Sequence, residues 1–445
     1  MNEVLKNWIE IKLEKICSRI TKGGTPTTYG YAFQKEGINF IKVENLNKGT
    51  VDLRSISDFI SQEAHDFQKK SQLQEGDLLF SIAGTIGETC IVKKEILPAN
   101  TNQALAIIQG FHKVLTPNFL KFQLDSFVAR KVTSKARGGA MNNVSLGDLK
   151  NLDVLIPPVP EQRAIVAKIE QLFSELDNGI TNLKAARGKL EIYRQAVLKK
   201  AFEGELTKEW RVQNELDGWR EVPITELGDI VTGNTPSKKN EDFYSSREYN
   251  FYKPTDLEAG NFVSKSIDSL SLHGFESGRQ APEGSILVTC IGATIGKTGL
   301  IKKEGCFNQQ INAIIPFEGF DPKFIYYQAI GLDFQTQIKT NASATTLPIL
   351  NKGKFSKLKM NICSKEEQTQ IAQEIESRLS VCDNILANIE EGLEKSEALR
   401  QSILKQAFEG KLLSDEELEA CRQEPDWEPA EQLLERVKNE KLAKV

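Results

Sequence analysis

The sequence predicts an α+β protein built from two copies of one α/β domain, related by a pseudo-two-fold axis and separated by a long antiparallel two-helix coiled coil. Three observations carry this prediction. Residues 161–206 and 367–412 align without a gap at an offset of 206, both opening on Glu-Gln and closing on Ala-Phe-Glu-Gly-X-Leu. Both stretches show apolar residues every three or four positions, the period of a helix with one apolar stripe. The residues ahead of each stretch contain the same short segments in the same order.

The helices come first in the argument. In the first, Ile165, Ile169, Leu172, Leu176, Leu183 and Leu190 form a seam, extended by Ile180, Tyr193, Val197 and Ala201. In the second, Ile371, Ile375, Leu379, Leu386, Ile389 and Leu393 do the same, with Cys382, Ile403 and Ala407. The stripe is narrow and the other faces are charged, as in a coiled coil. Alone, either helix would leave its seam in water, so each is the expected partner of the other. A globular stretch lies between them, at the end of one helix and the start of the next. Side-by-side helices meet that condition only when antiparallel, which predicts a rod with a domain at each end.

Composition sets the class. A chain of 445 residues, 40% hydrophobic and 27% charged, fits two or three domains of an ordinary soluble protein. No apolar run reaches about 18 residues, so no membrane span is expected. The N-terminus lacks the basic-then-apolar pattern of a secretory signal. Seven dispersed cysteines with no Cys-X-X-Cys pair predict reduced thiols in the cytoplasm. Residues 1–156 hold 20 Lys and Arg against 16 Asp and Glu, and residues 207–362 hold 18 of each. The negative excess lies in the second helix and the tail, so an acidic pI of 5.8 does not exclude a nucleic-acid partner.

These boundaries follow: a first domain at 1–156, the central helix at 157–206, a second domain at 207–362, the second helix at 363–413 and an acidic tail at 414–445. In the first domain, Trp8 to Ile20 reads as a short amphipathic start, followed by a glycine-rich loop, TKGGTPTTYG. INFIKVENL alternates like a strand, and EGDLLFSIAGTIGETCIV reads as two strands around glycine turns. A helix is expected from near Pro117, then a polar loop, then a last strand stopped by Pro157, Pro158 and Pro160. The second domain repeats this with TGNTPSKKN, EGSILVTCIGATIGKTGLIKKE and FNQQINAII. The shared segments look like scaffold. The divergent ones are loops, which suggests one task on two targets.

This doubled order, with Glu-Gln helix starts, Ala-Phe-Glu-Gly ends, Thr-Pro loops and EGDLL…GTIG segments, closely resembles the specificity subunit of type I restriction–modification systems. The resemblance covers nearly the whole chain. It implies that each globular half is a target-recognition domain reading one half of a split double-stranded DNA site. It also implies two modification (methyltransferase) subunits on the helices, joined by restriction (translocase and nuclease) subunits. S-adenosylmethionine, ATP and magnesium would then sit on those partners, with no cofactor on this chain. A specificity protein of a related methylase-only system is the alternative that these residues leave open.

The chain offers decoys for chemistry of its own. GATIGKTG resembles a phosphate-binding loop, but Gly292 and Gly296 are one residue too close, and Glu88 replaces the lysine in the first copy. No Asn-Pro-Pro-Tyr or Asp-Pro-Pro-Tyr run exists to hold a flipped adenine. His65, His112 and His273 are isolated in sequence, so neither a metal site nor a catalytic triad is predicted. Cys290 and Cys306 sit in apolar runs and are expected to be packed.

Given the resemblance, DNA-facing candidates are side chains able to read base edges or hold phosphate. In the first domain these are Lys22, Thr25, Thr27, Thr28 and Tyr29, then Lys135, Arg137, Asn142 and Asn143. In the second they are Thr235, Ser237, Lys238, Lys239 and Asn240, then Lys339, Asn341, Ser343, Thr345 and Thr346. Lys42 and Lys253 follow strands at equivalent places. Singly, each reads more readily as part of a solvated loop. As groups, loops between repeated strands should share a face. Lys352, Lys354, Lys357 and Lys359 read either as phosphate contacts or as lysines blunting a strand edge. In the tail, Trp427, Leu433, Leu434 and Val437 form an apolar face expected to pack near the first domain.

Overall fold

The main sheet of the first domain is fully antiparallel, in the order Arg19–Lys22, Leu105–Gln109, Leu78–Ser81, Thr89–Ile91. The second domain repeats that order with Gly228–Thr232, Ile311–Pro316, Ile286–Thr289 and Thr298–Ile301, and adds Phe262–Val263 at the edge. The pairing register is shared too. Ile108 faces both Ile20 and Leu78, and Ile314 faces both Ile230 and Ile286. The computed structural model describes residues 7–442, apart from 48, 136–143, 217, 260–261 and 344–346.

Each domain carries a second, smaller sheet. In the first, Ile38–Ile41 pairs antiparallel with Phe59–Ile60 and parallel with Ala99–Thr101. In the second, Tyr249–Tyr252 pairs with Asp268–Leu270 and Gly305–Phe307 in the same senses. A two-stranded ribbon closes each domain: Ile9–Lys12 with Asp153–Ile156, and Arg220–Pro223 with Lys359–Ile362. The expected amphipathic start is thus a strand, a helical turn at Leu13–Ile16 and another strand. The reason is non-local. Ile9–Lys12 finds its partner more than 140 residues away, which no local pattern reveals. The helix expected near Pro117 runs Pro117–Lys135.

The long helices are Val159–Phe202 and Lys365–Phe408. The chain divides into two compact units, residues 1–182 with 392–445 and residues 183–391, so each long helix contributes to both. In unit one, Ile165 and Ile169 from the start of the first helix share a core with Ile403, Leu404 and Ala407 from the end of the second. In unit two, Val197, Leu198 and Ala201 share a core with Ile371, Ile375 and Leu379. Within each unit the two segments therefore run antiparallel. Every predicted seam residue except Tyr193 is buried or half-buried. The outermost ones seal the domain cores rather than only each other, each contributing about 1.5–3 kcal/mol of burial.

One seam position shifts. Tyr193, expected inside, is 46% exposed, and Arg194 turns inward to pair with Asp383. Steps of three and four residues both fit a helical stripe, so spacing alone could not choose between them. The tail forms helices Asp415–Arg422 and Ala430–Leu442, and Ala430, Leu433, Leu434 and Val437 enter the first domain's core. Its acids meet bases of the first helix. Asp426 takes both terminal nitrogens of Arg163, at 2.7 and 2.9 Å, and Glu417 takes Lys168 at 2.8 Å.

Candidate nucleic-acid interface

The register brings the variable loops of each domain to one end of its main sheet. In the first domain Lys22, Ala106 and Phe80 lie abreast. The chain leaves the sheet beyond Lys22 into the Thr-Pro loop, re-enters at Leu105, and leaves beyond Ser81 into the Gly-Thr-Ile-Gly turn. Ile82 N–H donates to Ala104 O at 2.8 Å, and Val144 N–H donates to Ile82 O at 3.1 Å. The segment ahead of the last strand is thereby tied to the same end. The second domain repeats the device. Cys290 N–H donates to Gln310 O at 2.7 Å, and Leu350 N–H donates to Cys290 O at 2.8 Å.

A side-chain contact stitches two of these loops together in both copies. Thr25 Oγ1 donates to Gln103 Oε1, and Thr235 Oγ1 donates to Gln309 Oε1 at 2.6 Å. Both glutamines are exposed. Sequence reasoning missed them because TNQALAII and FNQQINAII align well and so look like scaffold. The available signal was an Asn-Gln pair at a strand entrance in both copies. Close backbone approach makes the stitch possible. A Cβ on Gly23 would meet Thr101 O at 2.0 Å, and one on Gly233 would meet Asn308 O at 2.2 Å. Only glycine fits at that distance.

The nominated residues fare differently. Lys22 is exposed at the end of its strand, Thr27, Thr28 and Tyr29 are exposed on the first Thr-Pro loop, and Thr235, Ser237, Lys238, Lys239 and Asn240 are exposed on the second. Asn240 also caps the turn Glu241–Tyr244, its Oδ1 accepting from Asp242 N–H. Lys339 and Asn341 lie in the last turn of Leu332–Asn341, and Ser343 Oγ accepts from Ile349 N–H at 3.0 Å. Lys135 is the last residue of its helix. Arg137, Asn142, Asn143, Thr345 and Thr346 lie outside the described residues.

Lys42 and Lys253 occupy equivalent places, and both are neutralised internally. Lys42 Nζ pairs with Asp58 at 2.7 Å, and Lys253 Nζ pairs with Asp268. Their charge is committed within the domain, which leaves them less available to a ligand. Among the other lysines, Lys359 bridges to Glu221 across its ribbon at 2.7 Å, and Lys354 donates to Asn341 O at 3.1 Å. Lys359 thus fits the strand-edge reading.

The phosphate-loop decoy resolves as a hairpin. Gly292 and Gly296 take φ of 102° and 90°, and Thr298 begins a strand where a phosphate loop would begin a helix. Cys290 and Cys306 are buried, and burial pushes each thiol up to about 12, so both stay protonated and unreactive near neutrality. His65 Nδ1 contacts Asn100, and His273 Nδ1 lies 2.5 Å from Asp242 Oδ2, a hydrogen bond that raises its pKa. Among the described residues, no group of three His, Cys, Asp or Glu could hold a metal ion. Among them, no helix is long and apolar enough to cross a membrane.

Comparison with known proteins converges on one family. The model of the type I restriction modification DNA specificity domain matches twice, at residues 5–185 and 216–395. The chain is 34% identical over 206 residues to the EcoBI specificity subunit of Escherichia coli, covering 45% of this chain but only 43% of that relative. It is 22% identical to the StySPI specificity subunit of Salmonella potsdam over 92% of this chain and 89% of the relative. A solved chain from work on complex assembly and conformational transition of the type I R-M system superposes with a TM-score of 0.71 at 18% identity, covering 91% of this chain and 98% of that one. The HsdS subunit from Thermoanaerobacter tengcongensis superposes with a TM-score of 0.54, also at 18% identity, covering 91% of this chain and 97% of that one. With two matched domains spanning most of its length and the same fold as these structures, the chain belongs to the type I restriction modification DNA specificity family.

Proposed function

We propose that this chain is the DNA-specificity subunit of a type I restriction–modification enzyme, acting in the cytoplasm. Each domain reads one half of a bipartite duplex target with the loops gathered at one end of its main sheet. The long helices set the spacing between half-sites and dock two modification subunits, which carry S-adenosylmethionine and methylate adenine N6. Restriction subunits supply ATP- and magnesium-dependent translocation and cleavage. The chain itself is non-catalytic. It binds and positions DNA while its partners perform the chemistry.

The duplicated loop stitch carries this reading. Two copies of one scaffold each hold a Thr-Pro loop on an exposed glutamine, at 2.6 Å in the second copy, and differ in the residues mounted there. Catalysis would call for a shared reactive group at these loops. Recognition calls for shared support and different side chains.

The test is the methylome of cells making this chain with its modification partner. It should contain one split motif with a methylated adenine in each half. Exchanging residues 1–156 for the matching domain of a relative should change one half and spare the other. Change in both halves, or methyl transfer by the purified chain alone, would overturn the reading.

A further inference from the structure

The two loop ends differ in one physical respect. In the first domain, Tyr29 on the Thr-Pro loop meets Phe67, the last residue of helix Gln62–Phe67, with ring centroids 5.7 Å apart. Tyr31 also meets Phe67, with ring centroids 5.6 Å apart. Tyr29 is 53% exposed and Phe67 is 60% exposed. Two large rings thus share an open surface within the loop group that also presents Lys22, Thr27 and Thr28. The cluster is supported from beneath. Gly24 leaves room for the Tyr29 ring, since a Cβ there would lie 3.2 Å from it. Ser61 caps the helix, and Ala64 seats it in a small core with Phe40 and Ile60.

The second domain keeps the support and discards the rings. Its matching helix, Leu272–Ser277, is capped by Ser271 as the first is by Ser61. Counting from the caps, Ser277 takes the place of Phe67. Counting from the shared Thr-Pro, Lys239 takes the place of Tyr29, with Lys238 beside it. Both lysines are exposed. The aromatic pair of this region, Tyr249 and Phe275, stacks at 4.1 Å and is only partly exposed.

We infer that the two half-sites are held by different forces, an inference that rests on the specificity reading above. Tyr29 and Phe67 form an apolar element that packs on base edges of the half-site read by the first domain. Lys238 and Lys239 grip phosphate at the other. Open ring surface gains nothing from water and gains contact area from a thymine methyl or an unstacked base face. Lysine at the same position gains counterion release, which carries no sequence information.

The test uses the full chain with its modification partner and three duplexes: the methylated motif, the motif scrambled in the first domain's half-site, and the motif scrambled in the other. The Tyr29→Ala/Phe67→Ala variant should bind the intact duplex about tenfold more weakly. It should lose the same factor on the duplex scrambled in the second half-site and nothing on the one scrambled in the first. Its salt dependence should match wild type, and Tyr29→Phe should restore most of the loss. Lys238→Ala/Lys239→Ala should instead lower the slope of log K against log salt by about two on all three duplexes. Equal losses on every duplex, or none on any, would overturn the inference while leaving the specificity reading intact. A protruding patch used only for protein contact would give that second result. If the unaltered complex prefers no duplex, the specificity reading fails and takes this inference with it.

Discussion

Trp8 donates its indole N–H to Glu161 across 2.7 Å, joining the residue just ahead of strand Ile9–Lys12 to the first turn of the long helix. Trp219 repeats the relationship with Glu367 at 3.2 Å. Both glutamates belong to the Glu-Gln that opens each helix, and both are buried. The adjacent glutamines act as well. Gln162 donates to Val114 O and Pro157 O, and Gln368 donates to Cys363 O. The doubled Glu-Gln is therefore a clamp between helix start and domain.

Glu161 should make stability depend on pH. Burial is the largest influence and holds its pKa above the ordinary value, while the indoles of Trp8 and Trp427 pull the other way. A carboxyl with a raised folded pKa favours the fold when protonated. That contribution is full below the unfolded value of about 4.3 and is lost as pH rises through the folded value. The stability of wild type relative to Glu161→Gln should thus fall from about pH 4 towards neutrality. Thermal unfolding of both proteins across that range checks it, and a difference that grows with pH contradicts it.

Glu367 is fully buried, and one oxygen accepts from Thr207 at 2.7 Å, Arg211 at 2.8 Å and Trp219 at 3.2 Å. Its other oxygen is buried with no hydrogen-bond partner among the described residues. Arg211→Ala would strand that charge and should cost about 3 kcal/mol. Glu367→Gln should cost less, because it removes the charge that needs a partner and leaves Arg211 access to solvent. Urea unfolding monitored by tryptophan fluorescence gives the ranking. Equal midpoints for Arg211→Ala and wild type would show that the pair contributes nothing.

Gly23→Ala places a methyl against backbone oxygen at 2.0 Å and must push the Thr-Pro loop off Gln103. Strain of about 1–3 kcal/mol is expected. The complex should still methylate, with weakened discrimination at one half-site only. Gly233→Ala should do the same at the other. Methylation rates on half-site variants distinguish this from general loss of the fold.

The helix Val159–Phe202 is continuous across the boundary between the two units. Inserting four residues after Ala185 adds about 6 Å of helix. At about 3.4 Å per base pair, the gap between half-sites should lengthen by roughly one or two base pairs. Seven residues would keep the seam in register and be better tolerated. The letters of each half should stay unchanged. An active variant with the original spacing in its methylated motif would show that the helices tether without measuring.

Much of this was legible because repetition reports on structure twice. Strands around the glycine turns, the helix at Pro117 and the seam from Ile165 to Leu190 all depend on near neighbours, which periodicity records. The repeat also exposed the Thr-Pro loops, where Gly23 and Gly233 mark close backbone contact. Lys42 and Lys253 show the limit of this signal. Their equivalence suggested a shared role towards a ligand, yet each is held by an aspartate at the start of a neighbouring strand or just ahead of it. Repetition marks what a scaffold needs as readily as what a target needs.

The sequence by itself determined the duplication, the two helices, their apolar seam and the loops that vary between copies, because each is written in spacing and composition. Tertiary structure alone decided which distant residues meet. It set Glu161 between Trp8 and Trp427, turned Arg194 inward in place of Tyr193, and placed Phe67 beside Tyr29. Those pairings span up to 266 residues of chain. They arise where packing satisfies buried charge and apolar area together, a condition on the whole fold that no local pattern encodes.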